Sequence, residues 1–164
     1  MLIRPERPDD HTAIHAVTAA AFGSSAYGHH NEADIVEALR ASGALTVSLV
    51  AVEDGDVIGH VAYSPVQITT AEGDWYGLGP VSVAPAWQRR EVGGGLVRQG
   101  LQEIEALGAA GCVVLGDPAY YGRFGFESDP AIRYGPEASP YLQRLVLRGA
   151  APRGEVLYHP GFDV

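Results

Sequence analysis

Apolar and polar positions along the chain follow patterns that predict strands and helices in alternation. The clearest stretch is 46–69, two β-rich runs joined by Asp54 and Gly55, a dipeptide typical of a hairpin turn. Before it, Pro8 signals a helix start, and a second helical pattern over 35–39 stops at Gly43. The pattern therefore predicts two helices followed by a β-hairpin.

Residues 79–117, "GPVSVAPAWQRREVGGGLVRQGLQEIEALGAAGCVVLGD", combine three signals in order. A strand ends at Pro85, three glycines follow, and apolar residues then recur every three or four positions. These apolar positions are Leu96, Val97, Leu101, Ile104 and Leu107. The next run, "GCVVLG", is apolar throughout, as in a strand inside a sheet. The segment predicts a β-α-β unit whose helix opens on a glycine loop.

Composition limits the class of protein. The 164 residues suit one domain, expected over residues 1–164, and 46% hydrophobic with 19% charged residues is typical of a globular chain. No apolar run reaches the roughly 20 residues of a membrane helix, and the start "MLIRPERPDD" has no signal core, so a cytoplasmic location is expected. Cys112 is the single cysteine, which excludes an intrachain disulfide and a cysteine metal cluster. No bound metal is expected.

Charge points to a local anion site in an acidic protein. The formal net charge is −9, so binding to nucleic acid or to an acidic membrane is not expected. Arg89, Arg90 and Arg98 nevertheless surround the glycine loop, where they fit either a solvated helix start or an anion site. A glycine loop that opens a helix presents N–H groups to phosphate oxygens. The chain has no lysine, which excludes a nucleotide P-loop.

The glycine loop resembles a coenzyme A signature. "VSVAPAWQRREVGGGLV" is similar to the Gln/Arg-x-x-Gly-x-Gly/Ala motif of the GCN5-related N-acetyltransferase (GNAT) superfamily. "GDPAYYGRFGFE", residues 116–127, resembles a superfamily segment in which a tyrosine precedes a Gly-Phe pair. With "GHVAYSPV" and "YHPGFD", the chain resembles the YhbS-like group of predicted acetyltransferases over nearly its whole length.

This resemblance implies an α/β (α+β) GNAT fold. The fold has a mixed, strongly bent central sheet of about six to seven strands, flanked by about four helices. The sheet splays after the fourth strand, and the resulting gap would hold acetyl-CoA.

The resemblance also assigns the cofactor contacts. Backbone groups near Val81 and Val83 would bind the pantetheine, main-chain N–H groups of the loop would bind the pyrophosphate, and Arg89 or Arg90 would pair with a phosphate. The full expected set is Val81, Ser82, Val83, Gln88, Arg89, Arg90, Glu91, Val92, Gly93, Gly94, Gly95, Leu96, Pro118, Tyr120 and Arg123.

Acetyl transfer needs an amine that loses a proton, attacks the thioester and expels a thiolate that benefits from an acid. The resemblance makes Tyr121 the candidate acid, with a core aromatic as the other interpretation. No single base stands out. His30, Glu32 and His60 are candidate bases and acceptor-binding residues, although a strand histidine such as His60 is more often structural, and a water chain could also serve. Asp117 fits a helix cap.

Glu91 departs from the motif, which has glycine at this position. A main-chain cradle tolerates a side chain that points to solvent, provided the local backbone suits an L-residue. Repulsion between Glu91 and a phosphate ~6 Å away would cost roughly 1–3 kcal/mol. The adjacent Arg90 could offset part of that penalty. Acetyl-CoA affinity is therefore the property that Glu91 puts in question.

The sequence-based prediction is an N-acetyltransferase that moves an acetyl group from acetyl-CoA to a small-molecule or peptide amine. The transfer would occur in a ternary complex without a covalent enzyme intermediate. An acyl-CoA-binding or regulatory module is the alternative, motivated by Glu91. The acceptor stays unidentified because its pocket would come from residues 22–34 and the chain end. A homodimer is left open.

Overall fold

The computed structural model describes residues 1–23 and 30–164. Within these residues, strands and helices alternate as the sequence pattern predicts. The strands are β1 (Leu2–Pro5), β2 (Val47–Glu53), β3 (Asp56–Thr70), β4 (Trp75–Val83), β5 (Gly111–Leu115), β6 (Glu127–Ser128), β7 (Ile132–Arg133), β8 (Leu142–Val146) and β9 (Arg153–Tyr158). The α-helices are α1 (His11–Gly23), α2 (Glu32–Ala41), α3 (Val92–Ala106) and α4 (Pro118–Tyr121), and short 3-10 turns occupy Pro8–Asp10, Pro85–Trp87, Gly122–Phe124 and Pro160–Asp163.

The strands form a mixed sheet. Seven of them follow one another in the order β1-β2-β3-β4-β5-β8-β6, and β9 pairs with β3 and β7. The β4–β5 and β7–β9 pairs are parallel, whereas β1–β2, β2–β3 and β5–β8 are antiparallel. Among the described residues, β4 pairs with β5 only over Trp75–Gly77. The predicted mixed sheet that opens after its fourth strand, with four flanking helices, is confirmed. The described residues give it nine strands, seven of them in one continuous order, where about six to seven were expected.

Contacts within the chain group its residues into two compact units. The first contains Met1–Ser64, Gly79–Gly100 and Pro160–Val164, and the second contains Pro65–Leu78 and Leu101–His159. The chain passes from one unit to the other within β3, β4 and α3. A single domain over residues 1–164 stays a prediction.

The first unit is built around the β2–β3 hairpin and the helices α1 and α2. Asp54 and Gly55 both have positive φ, 50° and 83°, as a two-residue hairpin turn requires, which confirms the predicted turn. Ile14 of α1, Val36 of α2 and Val50 of β2 form one buried cluster. The predicted helical positions therefore face this sheet.

The second unit has its own apolar core. Trp75, Val113 and Leu142, from β4, β5 and β8, belong to one buried cluster that also includes Val156 of β9. Four consecutive residues of β5, 111–114, are buried, as expected for a wholly apolar strand in a sheet interior.

Helix α3 follows its predicted apolar stripe with one exception. Four of the five predicted positions are buried: Leu96, Val97, Leu101 and Ile104. The fifth, Leu107, is 59% exposed. Leu107 was expected on the buried stripe, but α3 ends at Ala106 and the stripe ends with it. None of the described helices has the length and apolarity that crossing a bilayer requires.

Candidate active site

The glycine loop in the first unit connects the end of β4 to the start of α3. After the 3-10 turn at Pro85–Trp87, α3 begins at Val92, and the Gly95 N–H donates to the Glu91 carbonyl at 3.0 Å. The N–H groups at 92–94 precede this first intrahelical bond, and helix geometry gives them no partner inside the helix. Such groups at a positive helix end suit a bound anion.

Several predicted cofactor residues can contribute only their backbone. Val92 and Leu96 are buried at 3% and 0% exposure, and a Cβ at Gly59 would touch both side chains. Ser82 is buried, and its Oγ donates to Thr18 Oγ1 of α1 at 3.1 Å. Val81 and Val83, on the other side of β4, are partly exposed. A ligand along this strand would meet main-chain groups and valine side chains.

The polar side chains of the loop are exposed. Gln88 Nε2 donates to the Val83 carbonyl at 3.1 Å, which ties the loop to the end of β4. The Arg90 guanidinium lies 5.4 Å from the centre of the Trp87 ring, a cation–π contact that orients it. Arg89 is exposed and has φ of 63°. Both arginines are accessible to an anion from solvent.

The backbone at Glu91 is not one that suits an L-residue. Its φ is 63°, in the left-handed region that costs an L-residue roughly 1–2 kcal/mol. The motif glycine would adopt this conformation without that cost. The Glu91 side chain is exposed, with Oε2 4.0 Å from Nη1 of Arg98. The arginine that lies beside the carboxylate is thus Arg98, where the sequence suggested Arg90.

The three glycines of the loop do not share one role. Gly93 and Gly95 are half-buried and Gly94 is buried. A Cβ at Gly95 would lie 3.1 Å from Ile3 Cδ1, so this glycine permits close packing of α3 on β1. Gly95 therefore has a packing role, and the access that all three glycines are expected to give a ligand stays a prediction.

The Tyr121 segment lies in the second unit. Asp117 Oδ1 accepts a hydrogen bond from the Ala119 N–H at 2.9 Å, which confirms the predicted helix cap. Pro118 occupies the first turn of α4, and the Arg123 guanidinium lies 4.7 Å from the centre of the Tyr120 ring. The predicted cofactor residues of this segment, Pro118, Tyr120 and Arg123, therefore lie on α4 and the short turn that follows it.

Tyr121 belongs to an aromatic cluster. Its ring centre lies 5.0 Å from that of Tyr120 and 6.1 Å from that of Phe126, in edge-to-face arrangements, and its ring packs against Gly116. Burial raises the pKa of Tyr121 to about 12. The hydroxyl is therefore protonated at neutral pH and available as a hydrogen-bond donor.

His60 is held in a buried polar network of the first unit. Its Nε2 lies 2.8 Å from Ser48 Oγ, and Ser48 in turn donates to Glu6. Glu6 receives two hydrogen bonds of 2.9 Å from Arg40. His60 has no exposed surface, and burial lowers its pKa to about 4. These contacts favour the structural interpretation of this histidine.

His30 and Glu32 flank the start of α2. His30 is exposed and has φ of 62°. Glu32 is the first residue of α2, only 9% exposed, and its Oε1 has no hydrogen-bond partner among the described residues. The two candidates therefore differ strongly in their surroundings.

One group of potential metal ligands occurs on α1 and α2. The ligand atoms of His15, Asp34 and Glu37 lie within 4.8 Å of one another. His15 Nδ1 is 2.8 Å from Glu37 Oε1, and a hydrogen-bonded pair accounts for that contact without a metal.

A cavity of about 610 Å³ lies within the second unit, and none of its lining residues belongs to the predicted site. Its walls come from the strand ends around the 71–74 turn and from Leu157 of β9. This cavity therefore does not mark the predicted site.

Two contacts at the site had no signal in the sequence. The Thr18–Ser82 hydrogen bond joins residues 64 positions apart, and the Glu91–Arg98 pair depends on the left-handed backbone at residue 91. Neither follows from spacing or residue type.

Comparison with known proteins gives the class of this chain. The model of the acetyltransferase (GNAT) domain family matches residues 2–128, which include β1 to β5 and the glycine loop. The chain belongs to the GNAT acetyltransferase family, as the loop motif predicted.

Several relatives are similar over almost the full chain. A protein of Escherichia coli K12 named uncharacterized N-acetyltransferase YhbS is 40% identical, over 99% of this chain and 99% of that protein. A GNAT family acetyltransferase from Brucella melitensis, solved in complex with acetyl-CoA, is 51% identical with a TM-score of 0.87, covering 99% of this chain and 97% of that one. YhbS from Escherichia coli, solved in complex with CoA, is 36% identical with a TM-score of 0.89, covering 99% and 92%. The resemblance to YhbS-like acetyltransferases is confirmed.

Proposed function

We propose that this protein transfers the acetyl group of acetyl-CoA to an amine, of a small molecule or a peptide, by direct attack. The observation that carries the proposal is the junction of β4 and α3. A strand with partly exposed valines runs into a loop whose helix presents N–H groups at 92–94 before its first internal hydrogen bond. The two similar proteins solved with acetyl-CoA and CoA support this choice of donor.

In this proposal, binding of acetyl-CoA uses mainly the main chain of the first unit. Val81, Ser82 and Val83 offer backbone groups to the pantetheine. The segment 89–96 is assigned to the pyrophosphate, with the N–H groups at 92–94, which precede the first bond inside the helix, as its main donors. The exposed Arg89 and Arg90 pair with phosphate oxygens. We assign further contacts with acetyl-CoA to Pro118, Tyr120 and Arg123.

We assign to Tyr121 an interaction with the sulfur atom of CoA, which is the leaving group. When the amine nitrogen bonds to the carbonyl carbon and the C–S bond breaks, negative charge develops on sulfur. A tyrosine with a pKa of about 12 is a weaker acid than a typical thiol, whose pKa is near 8.5. Tyr121 therefore stabilises the thiolate by donating a hydrogen bond, and the sulfur takes its proton from solvent or remains a thiolate.

The acceptor side is assigned to His30, Glu32 and His60. His30 and Glu32 flank the start of α2, whereas His60 contributes through the polar network that it forms with Ser48 and Glu6. In this proposal, His30 and Glu32 are the two residues that contact the amine.

The proposal is tested by following thiol release from acetyl-CoA with a panel of amines. The panel contains lysine, spermidine, tyramine and a peptide with a free amino terminus. Amine-dependent thiol release, with no acetyl adduct on the protein by mass spectrometry, supports direct transfer. Binding of acetyl-CoA without turnover on any amine contradicts it and favours a binding module.

A cytoplasmic location and a homodimer stay predictions. Cell fractionation and light scattering of the purified protein would test them.

A further inference from the structure

Tyr121 can donate to the leaving sulfur, the role that the proposed function gives it, only if its hydroxyl is held in one place. The helix that carries Tyr121 provides little order by itself. Helix α4 spans only four residues, Pro118–Tyr121, and helices of this length are not stable alone in water. The position of the Tyr121 ring therefore depends on contacts outside α4.

The junction between β5 and α4 lies directly against the Tyr121 ring. Strand β5 ends at Leu115, and Gly116 follows it. A Cβ added at Gly116 would lie 2.4 Å from Tyr121 Cε2 and 2.9 Å from Tyr121 Cδ2, so the ring packs on the bare backbone of this glycine. A displacement of the Gly116 backbone would therefore shift the ring or leave it free to move.

Gln143 of β8 holds this junction through its side chain. Its Nε2 donates to the carbonyls of Gly116, at 3.0 Å, and Tyr141, at 3.3 Å. The Gly116 N–H also donates to the Tyr141 carbonyl at 3.0 Å. The two carbonyl acceptors fix the orientation of the amide, because the opposite orientation would place oxygen against oxygen. Gln143 thereby ties β8 to the backbone on which Tyr121 packs, and all of these residues belong to the second unit.

The surroundings of Gln143 favour a role in positioning over a role in stability. The residue has 0% exposure, and its Oε1 is buried with no hydrogen-bond partner among the described residues. A buried polar atom without a partner is costly, so this amide is only partly compensated for the water that it loses on folding. An apolar side chain of similar length would avoid that cost. The net stabilisation by Gln143 is therefore small, whereas its two hydrogen bonds restrict the junction.

We infer, on the basis of the proposed function, that Gln143 is a positioning residue of the acetyl transfer, which aligns the Tyr121 hydroxyl through Gly116. The Gln143 amide takes no part in making or breaking bonds. It keeps the Gly116 backbone in place, the backbone supports the aromatic ring, and the ring directs the hydroxyl to the point where the thiolate forms. A misplacement of about 1 Å in such a group costs on the order of 10²-fold in rate.

The test compares Gln143→Met with Arg144→Met, the same replacement at the next position of β8. Methionine keeps a side chain of similar length at position 143 and removes the amide. The Arg144 guanidinium donates to Asp129 at 3.1 Å and to Glu127 at 3.2 Å, so its loss also removes hydrogen bonds from β8, but none made to Gly116. Gln143→Asn, whose amide is one methylene group shorter, has the same expected effects and is used if Gln143→Met does not fold.

Rates are measured with an amine that the wild type acetylates. Gln143→Met should lower kcat about 10-fold or more and leave the Kd for acetyl-CoA unchanged, whereas Arg144→Met should have wild-type kcat. In a Tyr121→Phe background, Gln143→Met should cause no further loss, because the hydroxyl that it aligns is absent. The inference is overturned by wild-type kcat in Gln143→Met, or by an equal loss of kcat with and without the hydroxyl.

A measurement on the ring itself does not depend on turnover. 3-Fluorotyrosine is incorporated at position 121 alone, and its ¹⁹F resonance is recorded for each protein. Gln143→Met should shift or broaden this resonance, because the ring loses its fixed support, and Arg144→Met should leave it unchanged. A wild-type resonance in Gln143→Met would overturn the inference. A wild-type protein that acetylates no amine would overturn the proposed function and the catalytic role with it, while the resonance would still show whether Gln143 holds the ring, so the two failures are distinguishable.

Discussion

Position 91 combines backbone strain and charge in one residue. Glu91 has a left-handed backbone at the point where the loop enters α3, and its carboxylate is shared with Arg98 at 4.0 Å. Strain acts on the free and the bound protein alike, so it bears on stability. Charge acts on any phosphate that the loop binds, so it bears on affinity.

Replacement of Glu91 should separate these two effects. Glu91→Gly should raise the free energy of unfolding by up to about 1 kcal/mol, since glycine adopts positive φ freely. It should also tighten acetyl-CoA binding about 5-fold to 100-fold at low salt, and less at high salt. Glu91→Gln is the control, because it removes the charge and keeps the strained Cβ. The Kd for acetyl-CoA is measured by calorimetry for the wild type and both variants. If neither variant binds acetyl-CoA more tightly than the wild type at low salt, Arg98 already neutralises the carboxylate.

Tyr121→Phe tests the role of the hydroxyl. The ring contacts with Tyr120 and Phe126 do not need the oxygen, so folding and the Kd for acetyl-CoA should change little. If the hydroxyl donates to the leaving thiolate, kcat should fall about 10²-fold. Steady-state rates with one good amine measure this. Wild-type kcat in the variant would assign Tyr121 to the aromatic cluster alone.

Single residues were predictable from sequence where their role is local. The Asp117 cap follows from a short acidic side chain directly before Pro118, because such a side chain reaches the next N–H groups. The burial of His60 depends on Ser48 and Glu6, which lie far away in the sequence. Spacing along one strand cannot reveal that network.

At the scale of elements, the β2–β3 hairpin carries a buried titratable group. The folded state lowers the pKa of His60 from 6.5 to about 4, so between these values the unfolded chain binds a proton that the folded protein does not. The stabilisation is fully present above pH 6.5 and is lost as pH falls towards 4. The free energy of unfolding should decrease by up to about 3 kcal/mol over this range.

Chemical denaturation at several pH values measures this dependence. His60→Gln keeps a donor for Ser48 and removes the titration, so its stability should be flatter between pH 6.5 and 4.5. Glu6 contributes in more acid solution, because the hydrogen bonds from Arg40 and Ser48 outweigh burial and lower its pKa below 4.5. Equal slopes in the variant and the wild type would contradict the account.

Helix α3 depends on a close approach at Gly100. A Cβ there would overlap the ring of Tyr63, which is fully buried and donates to the Val97 carbonyl at 2.7 Å. Gly100→Ala should therefore lower the free energy of unfolding by about 1–2 kcal/mol, since overpacking exceeds the gain in helix propensity. Gly95→Ala is the control, because a Cβ there meets only the flexible side-chain ends of Ile3 and Met1. The account fails if Gly100→Ala is as stable as Gly95→Ala.

The elements that the sequence predicted are those with strong local patterns. The hairpin, α3 and β5 each combine a periodic run with a turn signal. Strand β7 has two residues and is defined by its pairing with β9, so no local pattern marks it. The exposure of Leu107 has a similar cause, since helix termini are poorly marked in sequence.

At the scale of the whole molecule, the mixed sheet that opens after its fourth strand was predicted from the family resemblance. The strand order was not predicted, because pairings such as β5 with β8 join distant parts of the chain. The loop motif predicted a donor site, since a main-chain loop needs only a few residue types at fixed spacing. The sequence did not identify the acceptor substrate, because no motif of this kind marks its pocket. Its recognition depends on side chains that tertiary structure brings together, and residues 24–29 of the expected acceptor pocket lie outside the part of the chain that the structure describes.

The central claim is that an acetyl group passes from acetyl-CoA directly to an amine. It is tested most directly by incubating the protein with acetyl-CoA labelled with ¹³C in the acetyl group and the amine panel, and identifying the labelled products by mass spectrometry. The account predicts a labelled amide of at least one amine, with CoA released in equal amount and the protein unlabelled. Labelled acetate without any labelled amide, or a stably labelled protein, would contradict it.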